Sequence, residues 1–266
     1  MAKPPEIFDR SLLRHRRMRT ASSFVAHNFL HRLAAESLLD RRADMLPPMP
    51  RVLCLGGQEG LLVQQLRAYQ NTHVVMADMA CNLLPHPLCD AVVLDEEYLP
   101  FAPQSFDAIV SNLTLQLAND LPGVLRQCFD ALAPQGAFLA AVLGGATLQE
   151  LRHCLTQAEL KLCGGASPRV APAISAESAT ALLQRAGFTA PVVDSEKLTV
   201  HYTDILALMR DIQAIGWSNV LRARSRRLAP RALFAEAGAL YAAQFPTTDS
   251  GIRATYEIIY LHGWHP

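Results

Sequence analysis

The chain has 266 residues, half of them hydrophobic, with 24 basic and 24 acidic side chains and no formal net charge. Balanced charge argues against nucleic acid as the default partner, and the length suits one large domain or a domain with an extension. No run of about 18 apolar residues is present, the opening MAKPPEIFDRSLLRHRRMRT lacks the apolar core of a secretory signal, and Glu6 and Asp9 speak against a transit peptide.

Residues 1–46 read as a helical lead-in. Ile7-Phe8-Asp9-Arg10 opens it, Arg14, Arg16, Arg17 and Arg19 crowd one stretch, and Phe24, Phe29, Leu30, Leu33, Leu38 and Leu39 recur at helical spacing. The arginines form either a solvated helix face or a surface for an anionic substrate, lipid headgroups or a protein partner. Pro47-Pro48-Met49-Pro50 is a stiff break that opens a second unit, 47–266.

That unit begins with strand, glycine turn, helix and strand. Val52, Leu53 and Leu55 stop at Gly56-Gly57, with Gly60 following. Leu61, Leu62, Gln65 and Leu66 keep helical spacing, and Val74-Val75-Met76 stops at Asp78. Continuous apolar runs suit parallel strands buried on both faces. In doubly wound folds the glycines let backbone approach a ligand, and an acid about 20 residues on takes a ribose hydroxyl. A plain β-α turn with incidental glycines is the other reading.

Further strands are expected at 91–94, 108–112 and 137–143. A helix between the last two is capped by Asn119 or Asp120 with Pro122 in its first turn, and Pro134-Gln135-Gly136 ends it. Alternating strands and helices predict an α/β, doubly wound Rossmann-like sheet with its ligand beyond the carboxyl ends of the strands. Those ends carry Gly56 and Gly57, then Asp78, Asp95 and Glu96, then Ser111 and Asn112. Thr147 is expected to cap the next helix, and Gly187 to end another starting near Ala176. Val192-Val193 and Leu198 to Tyr202 read as strand, residues 203–246 as a helical lid, and 254–261 as the last strand.

Catalytic side chains do not declare themselves. His153 and His201 lie in amphipathic patterns, and His262 and His265 lack further ligand partners for a metal. No two-His-one-carboxylate set and no G-x-S-x-G elbow is present. Cys54, Cys81, Cys89, Cys128, Cys154 and Cys163 never form C-x-x-C, and several sit in apolar patterns, which predicts buried thiols in a reducing cytoplasm rather than a disulfide framework or zinc site.

The segments IFDRSLLRHRRMR, LDEEYLPFAPQSFDAIVSNLTLQLANDLPGVL, LGGATLQELR, GGASPRVAP, LLQRAGF and ATYEIIYLHGW follow one another across almost the whole chain. In this order they resemble class I methyltransferases of the type 11 group, and more narrowly the methyltransferase-like assembly factors of respiratory complex I and their alphaproteobacterial relatives. The resemblance implies a seven-stranded sheet with its last strand antiparallel, and S-adenosylmethionine as cofactor. By position, Gly56, Gly57 and Gly60 face its methionine part and Asp78 takes the ribose hydroxyls. Met79 lies beside the adenine, Asp95 and Glu96 near its amine, and Asn112 near the methionine end. The resemblance further implies a protein partner, a subunit of complex I, met in the cytoplasm or at the inner membrane, and modification of one of its arginines.

The chain departs from that family at Cys54, where an acid is usual, at Gln58, where a glycine is usual, and at Gln116-Leu117, where the mitochondrial members carry His-Trp. A side chain at Gln58 crowds the cofactor's backbone contacts. Two functions therefore stand: an S-adenosylmethionine-dependent enzyme modifying a protein side chain, or a methyltransferase-fold assembly chaperone with a weakened cofactor site.

Overall fold

The computed structural model describes residues 6–43, 49–57, 60–68, 72–84, 89–248 and 251–266. A seven-stranded sheet of order β3-β2-β1-β4-β5-β7-β6 runs through the middle. Its strands are β1 (Arg51–Leu55), β2 (His73–Asp78), β3 (Asp90–Val93), β4 (Phe106–Asn112), β5 (Leu132–Leu143), β6 (Thr189–Tyr202) and β7 (Ile252–Trp264). β1 to β5 pair in parallel, while β7 lies antiparallel between β5 and β6. This is the doubly wound sheet expected, with the last strand reversed. The chain order turns back between β1 and β4, which makes their carboxyl ends the switch point.

Strand alternation explains why β1 is apolar throughout. Val52 and Cys54 join one core and Leu53 and Leu55 the other, all fully buried. The first core is completed by α2 (Phe29–Ala43), α3 (Leu61–Ala68), α5 (Gln149–Cys163), α7 (Ile205–Ala214) and α8 (Arg231–Gln244). The second is completed by α4 (Leu121–Ala131) and α6 (Ala176–Ala186). Helix α1 (Arg10–His27) takes neither place. Its Leu13 packs with Phe8, Met79, Leu117, Val220 and Leu221, so it crosses the carboxyl ends of the strands.

Local chemistry sets the helix ends. Asp9, Asp120, Ser175 and Asp204 each accept a hydrogen bond from a backbone N–H of the first turn. Asp120 is the cap expected before α4, and Gly187 at φ 111° closes α6 as expected.

Three expectations need correction. Thr147 does not cap α5: its hydroxyl is held by Glu257 of β7, and Leu148 leads the helix in a left-handed conformation. The apolar stretches at 192–193 and 198–202 are one long strand, with a register shift between Thr189 and Val192 next to Ala190 at φ 45°. Pro134-Gln135-Gly136 does not end α4, which stops at Ala131 and passes straight into β5.

Candidate active site

The glycine turn after β1 is built by backbone conformation. Gly56 (φ 98°) donates to Ala77 O at 2.8 Å, and Gly60 (φ 79°) donates to Gly57 O at 2.9 Å. Both φ values lie where a side chain is strained. Gly57 is needed for a different reason: a Cβ there would stand 2.4 Å from the Leu83 carbonyl oxygen. Gln58 and Glu59 lie outside the described residues. Asp78, fully buried at the end of β2, accepts from Gly57 N through Oδ2 and from Ala80 N through Oδ1, both at 2.7 Å. Turn and acid are thus one unit, with the carboxylate fixed by one amide of the turn and one just beyond β2.

Around it lies a charged cluster made with α1. Arg17 Nη2 donates to Asp78 Oδ2 at 2.5 Å and its Nη1 to Glu96 Oε1 at 3.0 Å. Arg10 donates to Asp95 through Nε (3.2 Å) and Nη2 (2.5 Å), to Glu96 through Nη2, and to Leu117 O through Nη1 (3.1 Å). A solvated helix face therefore describes Arg14 and Arg19, which are exposed, but not Arg10 and Arg17. Burial pushes the Asp78 carboxyl above its ordinary range, Arg17 opposes this, Glu96 adds to it, and the two amide donors also oppose it. For Arg10, burial works against the charge, but Glu96, Asp95 and Glu97 outweigh it and raise the pKa. The sequence-derived acids Asp78, Asp95 and Glu96 are thus brought together, joined by two arginines whose role sequence spacing did not show.

The remaining expected residues flank this cluster. Met79 is buried beneath Phe8 and Leu13. Asn112, at the end of β4, donates through Nδ2 to the His31 main-chain oxygen at 2.9 Å and so ties α2 to the strand end. His31 itself is a residue the sequence reading passed over. Its ring is buried between Phe24 and Trp217 (centroids 4.8 and 4.9 Å away), and Nδ1 has no hydrogen-bond partner. Burial, with Arg17 nearby, pushes its pKa down to about 3, so it is a neutral imidazole. A leucine-rich helix with one histidine gives no warning of this. Cys54, where an acid was expected, is buried and burial raises its thiol pKa. Cys128 and Cys154 are also buried, as expected of several of the cysteines, whereas Cys81 and Cys163 are exposed.

Beyond the ends of β4 and β5 opens a cavity of about 680 Å³. Its walls are Leu148, Leu151 and Leu155 of α5, Met209 and Ile212 of α7, and Trp217. Gln116 and Leu117 form its edge toward the charged cluster, where Arg10 holds Leu117 O. Arg16 of α1 donates to Asn219 O at 2.6 Å, so the helix covering the acids also fastens a cavity wall.

A largely parallel sheet with a glycine turn, a buried strand-end acid and a cavity across the switch point defines a doubly wound, ligand-binding α/β domain. A methyltransferase-domain family model matches residues 19–193, and the chain belongs to that family. Among curated proteins it is 33% identical to the mitochondrial arginine-hydroxylase NDUFAF5 of Danio rerio over 268 residues, covering 98% of this chain and 83% of that protein. The human NDUFAF5 is 35% identical over 265 residues, with 97% and 76% covered. The malonyl-[acyl-carrier protein] O-methyltransferase of Halorhodospira halophila is 33% identical over 246 residues, with 88% and 81% covered. Among solved structures, the YcgJ protein from Bacillus subtilis superposes with a TM-score of 0.59 at 14% identity, covering 86% of this chain and 98% of that one. Phosphoethanolamine N-methyltransferase 2 of Haemonchus contortus, in complex with S-adenosyl-L-methionine, superposes with a TM-score of 0.53 at 16% identity, covering 87% and 52%.

S-adenosylmethionine is the cofactor of such domains, and the residues present fit it. Asp78 is an acceptor already aimed by two amides, Gly57 beside it leaves no room for a Cβ, and His31 Nδ1 is a buried ring nitrogen with no hydrogen-bond partner among the described residues.

Proposed function

We propose that the chain is an S-adenosylmethionine-dependent enzyme that modifies a protein side chain, an arginine on an iron–sulfur subunit of respiratory complex I, and thereby aids assembly of that complex. The reading is supported by near full-length similarity to arginine-hydroxylase NDUFAF5 together with the observation that carries the cofactor half: Asp78 fixed by Gly57 N and Ala80 N at the end of β2. The protein works in the cytoplasm, peripheral to the inner membrane, where its partner is met.

Each residue then has a task. Gly56, Gly57 and Gly60 would let the backbone approach the methionine part of a bound cofactor, Asp78 would take the ribose hydroxyls, Met79 would serve the adenine, and Asp95 and Glu96 its amine. Asn112 holds α2 at the methionine end through the His31 carbonyl. When bound, S-adenosylmethionine supplies an electrophilic methyl group. The protein contributes orientation and exclusion of water, for which α1, packed over Met79, and the apolar cavity are suited. Asp78 accepts from Gly57 N and Arg17 on Oδ2 and from Ala80 N on Oδ1, which would leave an Oδ1 position for a ribose hydroxyl, and Glu96 helps keep the Arg17 guanidinium paired.

A second reading is favoured by two observations. Arg17 already occupies Asp78 Oδ2 beside Gly57 N, and a neutral Cys54 stands where an acid is usual. On that reading the fold serves as an assembly chaperone without catalysis. Calorimetric titration with S-adenosylmethionine and with its demethylated product decides between them. Micromolar binding in the wild type, weakened at least about a hundredfold in Asp78→Ala, is the outcome expected of the enzyme. Absence of binding by well-folded wild type removes the enzyme reading and leaves the chaperone reading to be tested by capture of its assembly partner. Because Asp78 is buried against Arg17, Asp78→Asn is measured beside it, with circular dichroism as the check on folding.

A further inference from the structure

The cavity beyond β4 and β5 holds one polar atom out of balance. Gln116 donates through Nε2 to Leu113 O at 2.7 Å, which fixes the orientation of its amide. Its Oε1 is then left shielded from solvent with no hydrogen-bond partner among the described residues, on a residue that lines the cavity. A buried acceptor without a donor costs on the order of the hydrogen bond it lacks. Backbone strain lies on both sides. Leu113, just before the Gln116 turn, has φ 46°, and Leu148, in the cavity wall, has φ 53°. Strained non-glycine residues of this kind persist where the surroundings hold them in place.

The rest of the lining narrows the ligand. Most of the wall is apolar, with leucine the commonest residue, and no carboxylate is among the described lining residues. The charged side chains there are Arg169 and Arg210; Arg169 is paired with Glu159 at 2.7 Å. A guanidinium or ammonium group entering this space would be desolvated beside like charge with no anion to meet it. A bare hydrocarbon chain would match the walls but leave Gln116 Oε1 unsatisfied.

We propose that this cavity is a peptide-recognition pocket, in which an apolar side chain flanking the modified residue of the partner protein fills the leucine-lined space and a peptide N–H of that segment donates to Gln116 Oε1. The inference rests on the reading that the substrate is a protein, and it assigns the target arginine's own guanidinium to a place outside the cavity. The volume of about 680 Å³ falls in the range of small-ligand pockets and admits a large apolar residue with its flanking amides.

Trp217 in the wall gives the readout. The full chain is titrated with the capped dipeptide acetyl-Leu-Phe-amide and, separately, with decanoate as an acyl-chain probe, following tryptophan fluorescence; Trp217→Phe identifies the signal. The expected result is that the dipeptide binds, that Gln116→Leu weakens it about tenfold while leaving decanoate unaffected, and that Met209→Trp, which fills the space, abolishes it. Dipeptide binding that is equal or tighter in Gln116→Leu overturns the proposal, as does a wild type that takes decanoate and no dipeptide up to about 10 mM. Titration of the same wild-type sample with S-adenosylmethionine keeps the two claims apart: dipeptide binding without cofactor binding retains the pocket and removes the enzyme, and the reverse result removes the pocket alone.

Discussion

Arg17 on α1 and the pair Arg226 and Arg227 before α8 belong to two arginine runs of similar density, yet they meet different surroundings. The Arg17 side chain is 11% exposed and bridges Asp78 and Glu96, both buried. Arg226 and Arg227 are exposed, next to Leu228, which is 99% exposed. Between these extremes, Arg222 pairs with Glu6 and Arg224 with Asp9, which clamps the 220–224 segment onto the stretch leading into α1. The difference comes from the anions within reach. The end of β2 and the loop after β3 gather four carboxylates in one place, Asp78, Asp95, Glu96 and Glu97, and two α1 guanidiniums are drawn into that field. Surface pairs and exposed cations contribute little to stability, whereas removing one partner of a buried pair strands the other in low dielectric.

The largest expected effect tests the buried end. Arg17→Leu leaves Asp78 and Glu96 facing each other, with Arg10 still reaching Glu96 but not Asp78. It is expected to lower unfolding free energy by about 3–5 kcal/mol, measured as a shift of the urea midpoint at constant slope. A loss below about 1 kcal/mol would place the Arg17 pair with ordinary surface salt bridges and dissolve the contrast.

How much of this was legible in the sequence follows from the range of the forces involved. The strand ends were legible because apolar runs stopping at Gly56, Asp78 and Asn112 are local signals, and a parallel sheet aligns such stops by topology. The site's acids were found for that reason. The destination of Arg17 was not, since it depends on a contact 61 residues away in the chain, and a helix with arginines at several positions does not show which of them faces the sheet. Thr147 misled because a threonine before a helix is the usual cap, and only the pairing of β5 with β7 reveals that Glu257 claims its hydroxyl. His31 and the Gln116 cavity were invisible because both are defined by what surrounds them, Phe24 and Trp217 in one case and α5 and α7 in the other.

A smaller effect sharpens the comparison through pH. An unfolded histidine gains its proton near pH 6.5, whereas His31 in the folded protein does so only at about 3. Between those values the unfolded state binds the extra proton, so the stability that neutral His31 contributes is fully present above pH 6.5 and is lost as pH falls, by about 1.4 kcal/mol per pH unit. Denaturant melts at pH 7 and pH 5 in wild type and His31→Phe measure it, the variant showing the shallower pH dependence. Arg17 is one of the two causes of the depression, so Arg17→Leu also raises the His31 pKa, with burial still holding it below the ordinary value. If the pH dependence is identical in wild type and His31→Phe, the imidazole is not buried as the structure has it.

The smallest effect belongs to the exposed run, and its smallness is what gives it value. Arg226→Ser combined with Arg227→Ser removes two charges from a segment whose side chains stand in solvent, so stability should move by no more than about 0.5 kcal/mol and cofactor affinity not at all. Charges of this kind act on the rate and salt dependence of meeting a partner. The double variant should therefore differ from wild type only in an association measurement, where an acidic partner would bind more slowly and with a weaker dependence on ionic strength. A loss of several kcal/mol in the same variant would mean that this loop, too, is an internal ion-pair network, and that the arginines of α1 are not distinguished by the acids beneath them.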